Sequence, residues 1–96
     1  MSMRSPAHPG QLLKDDLDAL GWTVAAAAEA LGITRQQLHR VIAGTSSVSP
    51  EMAIRLEKGL GTSADTWLRM QAAYDLAEIR RRVPGIKVRR LASKVA

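Results

Sequence analysis

The stretch LGITRQQLHRVIAG, Leu31 to Gly44, decides the fold. Leu31-Gly32-Ile33-Thr34 is a turn of about three residues containing glycine, the connection that sets two helices at ~90–120°. Gly32 adopts cheaply the left-handed conformation that ends a helix. Thr34 is the N-cap of the next helix, and Gln37, three residues on, completes a capping box. That helix runs to Ala43 and stops at Gly44. Ile33, Leu38, Val41 and Ile42 form its inward stripe. Gln36, His39, Arg40 and Ala43 take the opposite face, with Arg35 and Gln37 flanking it near the N-terminus.

Helical punctuation recurs outward from this core. Upstream, Pro9 suits the first position of a helix, and Leu13, Leu17 and Leu20 follow at helical spacing until Gly21. Thr23 caps a second helix, Val24 to Leu31, in which Ala28 faces the next helix and permits close approach. Downstream, Thr45 to Ser49 is a polar loop. Ser49-Pro50 then reads as N-cap plus first-turn proline of a fourth helix, with Glu51 at its positive end and Met52, Ala53, Leu56 and Leu60 as its inward stripe. It ends at Gly59–Gly61. Ser63 and Asp65 open a fifth, longer helix to about Arg82, broken by Val83-Pro84-Gly85. No segment alternates over a strand length. The expectation is an all-α chain of five helices: residues 1–7 a flexible N-terminus, 8–82 the domain, 83–96 a basic tail.

With 96 residues, one domain burying roughly 60–65% of its unfolded surface is expected. The absence of cysteine excludes disulfides and thiolate-ligated metal sites and fits a reducing, cytoplasmic setting. No apolar run approaches the ~18 residues of a membrane span, and the first residues lack a signal-peptide core. The net charge of +5 is unevenly placed. Residues 1–79 carry seven basic side chains against all nine acids, a balance of −2. Residues 80–96 carry Arg80, Arg81, Arg82, Lys87, Arg89, Arg90 and Lys94 and no acid. Bulk charge therefore says nothing about the domain, and local organisation has to carry any functional reading.

The third helix has the composition of a base reader. Arg donates two hydrogen bonds to guanine and Gln bridges the edge of adenine, each good bidentate pair giving roughly 1–3 kcal/mol of discrimination. The helix N-terminus offers free N–H groups and a positive dipole to phosphate. The competing reading is a solvated face. Catalysis is disfavoured, because His8 and His39 are far apart and no metal-spaced cluster, phosphate loop or paired nucleophile and base occurs. No cofactor is expected.

Three flanking runs sharpen the choice: HPGQLLKDDLDALG (His8 to Gly21), GITRQQLHRVIAG (Gly32 to Gly44) and VSPEMAIRLEKGLGTSADTWLRMQAAYDL (Val48 to Leu76). In this order and spacing the chain resembles the HigA-type antitoxins of type II toxin–antitoxin modules, small phage-repressor-like helix-turn-helix proteins. The resemblance covers about residues 8 to 80, with HPG, SPEMA and the Trp67 to Leu76 run its most specific parts. It implies a five-helix phage-repressor-like bundle with a long C-terminal helix. It also implies a homodimer that binds a palindromic double-stranded operator, represses its own operon and neutralises a HigB-type ribonuclease toxin. Two positions depart from the family. Ala27 stands where Leu is common, predicting thinner packing of the second helix, and Thr45-Ser46-Ser47 stand where a basic residue often follows Gly44, leaving hydroxyls and N–H groups for phosphate.

The candidate DNA-binding residues are Thr34, Arg35, Gln36, Gln37, His39 and Arg40. On the fifth helix Trp67 and Leu68 are core candidates. Met70, Tyr74 and Leu76, with Ile54 off the stripe of the fourth helix, are candidates for a dimer surface. Asp15, Asp16 and Asp18 give the first helix an acidic face, which either meets a cationic toxin or serves helix dipole and solubility. The tail is either a solvated end or an arm that adds phosphate contacts. A solitary repressor without toxin and a helical interaction module that binds no DNA are the alternative functions.

Overall fold

The computed structural model describes residues 6–95; the flexibility expected of residues 1–7 falls, for residues 1–5, outside the described residues, as does Ala96. Five helices follow in order: α1 Pro9–Leu20, α2 Val24–Leu31, α3 Arg35–Ala43, α4 Pro50–Leu60 and α5 Ala64–Arg82. Each begins where a side chain accepts from the backbone N–H groups that the first turn leaves free. His8, Thr23, Thr34, Ser49 and Ser63 play this part. The first four helices end on a left-handed glycine, whereas α5 ends at Val83, at φ −132° and ψ 63°, where the proline that follows disfavours the helical conformation.

The core is contiguous and draws on every element. Leu13 and Leu17 of α1, Ala27 and Ala28 of α2, and Leu38 and Val41 of α3 are buried. They meet Val48 of the loop, Met52, Ala53 and Leu56 of α4, and Trp67 of α5. α1 packs across α3, α2 across α3 and α4, and α5 across α4 and α1. The helix-turn-helix pair is thus clasped between α1 on one side and α4–α5 on the other. Each large aliphatic or aromatic side chain in this set contributes about 1.5–3 kcal/mol by leaving water.

One residue of the apolar spacing falls outside the core. Leu20 continues the Leu13–Leu17 spacing but is 61% exposed, at the rim of an apolar groove lined by α2 and the end of α4. Ile33, Ile42 and Leu60 are half-buried, packed at the edge of the core. Gly59 lies inside α4, and Gly61 is the cap. Ala27 is buried, and Leu17, Leu20, Trp22, Ala30, Leu31 and Leu60 line the apolar groove beside it. Among the described residues, no helix is long and apolar enough to cross a membrane.

Candidate nucleic-acid interface

The turn between α2 and α3 is closed from two directions. Gly32 sits at φ 74°, and the Ile33 N–H donates back to the Ala28 carbonyl at 3.0 Å, so the chain reverses within one turn. From α4, Arg55 Nη1 donates to the Leu31 carbonyl at 2.8 Å, an acceptor that the end of α2 would otherwise leave open. Glu51, one turn earlier, holds the same guanidinium at 3.0 Å. A β-carbon on residue 32 would stand 2.8 Å from Arg55 Nη1. Glycine there serves both the backbone and the arginine above it.

α3 starts on the capping box that its sequence spells. The Gln37 N–H donates to Thr34 Oγ1 at 3.0 Å and the Thr34 N–H donates to Gln37 Oε1 at 3.0 Å. This commits the Gln37 carbonyl to the cap and leaves only its Nε2 for a ligand, so the bidentate adenine pairing open to a glutamine is closed to Gln37 while the cap stands. Arg35, Gln36, His39 and Arg40 are exposed, and their side chains make no hydrogen bond or ion pair within the described residues. Four polar groups therefore stand on one rigid surface, desolvated by nothing.

The C-terminal end of α3 is pinned just as firmly. The Arg40 carbonyl accepts from the Thr45 and Ser46 N–H groups at 3.0 and 3.2 Å and from the Thr45 hydroxyl at 3.3 Å. The hydroxyl and N–H groups expected to be free at Thr45 and Ser46 are thus largely spent on the helix end. Next to it sits the HPG motif. His8 Nδ1 accepts the Gly10 N–H at 3.0 Å, the His8 ring lies beside Gly44, and its edge meets the Tyr74 ring at a centroid distance of 4.9 Å. Burial lowers the His8 pKa below its ordinary 6.5 against the opposing pull of Asp75. Gly10 rests directly on the backbone of Val41 and Ile42. One further tie comes from α5: buried Gln71 accepts the Val48 N–H at 2.8 Å and passes its own Nε2–H to Asp75 at 3.0 Å.

Other candidates fall differently. Asp15 and Asp18 are exposed and Asp16 is half-buried. Asp18 is paired with Lys14 at 2.6 Å, which neutralises part of the acidic face. Ile54 and Leu76 are about half exposed. Met70 instead packs against the core and Tyr74 against His8, so the bundle already occupies much of their surface. The physical reason is helical register: Trp67, Gln71 and Tyr74 share the inward face of α5, while Leu76, Ile79 and Val83 form a second, outward stripe at i, i+3 and i+7. Sequence reasoning missed Ile79 and Val83, although their spacing from Leu76 signals them. Arg55, Gln71 and Trp22 carry no local signal for the parts they play.

A helix-turn-helix family model matches residues 13–67. Virulence-associated protein A' of Dichelobacter nodosus is 44% identical over 78 residues, 80% of this chain and 68% of that protein. Antitoxin HigA-1 of Vibrio cholerae is 38% identical over 80 residues, 82% of this chain and 75% of that protein. The solved structure of antitoxin GraA in complex with its operator aligns with a TM-score of 0.80 at 33% identity, covering 97% of each chain. The proteins of this group are DNA-binding regulators and not enzymes. With a helix-turn-helix model matched over more than half of its length and 38% identity to antitoxin HigA-1 of Vibrio cholerae, the chain belongs to the helix-turn-helix family of HigA-type antitoxins.

Proposed function

We propose that this chain is the antitoxin and autorepressor of a type II module: a homodimer that reads a palindromic operator with α3 and neutralises a HigB-type ribonuclease. The observation that carries the reading is the unpartnered set Arg35, Gln36, His39 and Arg40 on a helix locked at both ends. Gln36 and Arg40 read bases, Arg35 and His39 contact bases or backbone, and Thr34 brings the helix N-terminus to a phosphate. Gln37 adds its Nε2 and chiefly holds the cap. A GraA neighbour bound to its operator supports the same mode. Dimerisation uses the outward stripe, Leu76 with Ile79 and Val83, together with Ile54; Met70 and Tyr74 contribute by seating α5. The two α3 helices of the dimer then stand about 34 Å apart, one duplex turn. The toxin meets the face of Asp15, Asp16 and Asp18, where complementary charge speeds encounter.

Footprinting on the operon's own promoter tests the DNA half. Gln36→Ala with Arg40→Ala removes two candidate bidentate pairs, an expected loss of roughly 2–6 kcal/mol at the operator. Undiminished affinity in a folded double variant overturns base reading by α3. Co-purification with the product of the adjoining reading frame tests the toxin half. A partner-free protein that still footprints is a solitary repressor.

A further inference from the structure

The C-terminal segment takes no part in the function proposed above, and the sequence left it as either a solvated end or an arm on phosphate. Residues 83–95 form no helix or strand, and each is exposed. Val88, Leu91 and Val95 are 83%, 94% and 85% exposed, an unusual state for aliphatic side chains. Lys87, Arg89, Arg90 and Lys94 have no acidic partner within the described residues; of the preceding arginines only Arg81 is paired, to Glu78 at 2.8 Å. The order of residues is not random either. Wound as a helix, residues 87–95 gather Val88, Leu91, Ala92 and Val95 on one side and Lys87, Arg89, Arg90 and Lys94 on the other. A segment of nine residues lies below the length at which a helix holds alone in water, so it needs a surface that offsets its charge.

The rest of the chain supplies the reason to look for an anionic surface at the DNA. Residues 8–82 carry nine basic side chains against nine acids, so net charge gives the domain that carries α3 no attraction to a duplex. α5 passes the C-terminal end of α3 at Tyr74, where His8 joins the two. From Tyr74 to Arg82 the helix advances about 12 Å. Thirteen further residues reach up to about 43 Å when extended. That length covers the phosphates flanking the groove that α3 enters, at the high effective concentration of a tether.

We propose that residues 83–95 are a DNA-binding arm that grips backbone phosphates beside the α3 site and orders on the duplex. Lys87, Arg89, Arg90 and Lys94 provide the contacts, and the apolar side is the scaffold of the ordered form. Sequence reading stays with α3; the arm supplies attraction and salt sensitivity. The inference rests on DNA binding by α3 for its place, but its own contacts are blind to sequence.

The test compares the full chain with a truncation after Arg82, which retains all of α5, and with a full-length variant carrying Lys87→Gln, Arg89→Gln, Arg90→Gln and Lys94→Gln. Affinity for an operator duplex and for an unrelated duplex is measured from 50 to 200 mM salt. Engagement of one cation per protomer of the dimer, two in all, lowers the slope of log K against log salt by about 1.8, or roughly 12-fold in affinity across that range; engagement of two per protomer lowers it by about 3.6. Both altered proteins are expected to lose this on both duplexes alike. A slope change below about 1 in both overturns the arm. Loss confined to the operator also overturns it, because phosphate contacts do not distinguish sequences. A full chain without operator preference whose slope still falls on truncation retains the arm and rejects base reading by α3. Binding of the full chain to anionic phosphatidylglycerol vesicles, with no slope change on DNA, assigns the segment to a membrane surface and rejects the proposal.

Discussion

Gly10→Ala is the substitution whose consequence the structure fixes most sharply. A β-carbon at residue 10 would overlap the Val41 carbonyl oxygen and stand 2.8 Å from the Val41 carbonyl carbon and 3.0 Å from Ile42 Cα. Carbon atoms in contact prefer about 3.5–4.0 Å, so α1 and α3 must part by on the order of 1 Å. Both obstacles are backbone and cannot rotate away. A gap of that size forfeits a quarter to a half of the attraction across the interface where Leu13 and Leu17 meet the α3 side of the core, and overpacking of this kind costs about 1–3 kcal/mol or more. The gain in helix propensity returns at most ~1 kcal/mol and less in a first turn. The net expectation is a loss of about 1–2 kcal/mol, out of the ~5–15 kcal/mol of a domain this size. Urea denaturation read by circular dichroism measures it. Gly59→Ala is the control, since there the β-carbon meets only the flexible end of Leu31 at 2.8 Å and helix propensity rises. If Gly10→Ala matches the wild type while Gly59→Ala behaves as expected, the close approach does not seat α3 and the reasoning fails.

Two further predictions concern the other ties at the same end of α3. Gln71→Leu keeps the volume but orphans the buried Val48 N–H, an expected loss of about 1–3 kcal/mol with faster amide exchange at Val48; unchanged stability and exchange would show that the tie is dispensable. His8 favours its neutral form in the folded protein, because burial outweighs the pull of Asp75 and Nδ1 must stay unprotonated to accept from Gly10. Its folded pKa lies below the unfolded 6.5, so its contribution is complete above about pH 6.5 and fades as pH falls through the folded value. The Tm is expected to drop more between pH 7.5 and 5.5 in the wild type than in His8→Asn, which keeps the N-cap without titrating; equal drops would remove His8 from the acid response.

The proposed recognition surface was legible in the sequence because its parts are local. A capping box needs residues three apart, and Thr34 with Gln37 spells it; a solvent face needs only a 3.6-residue period, and Gln36, His39 and Arg40 keep it. The HPG motif was visible as a motif but silent about its purpose. Nothing in His8-Pro9-Gly10 says that the glycine touches Val41 and Ile42, some thirty residues away. The register of α5 misled for a related reason: an abundance of apolar residues on one helix does not reveal which of two opposite faces the bundle takes.

By itself the sequence determined the five helices and their caps, the turn that makes two of them a pair, the polar face of α3 and the gathering of half of the basic residues, with no acid among them, into the last seventeen positions. These follow from hydrogen bonds and periodicities spanning a few residues. The tertiary structure alone decided which groups hold that pair in place: Arg55 over the turn, Gly10 and His8 under the end of α3, Gln71 on the loop. It alone also turned Tyr74 and Met70 inward and Leu76 outward. Those choices depend on how closely two backbones approach and which buried donor lacks an acceptor, and such quantities exist only once distant segments have packed.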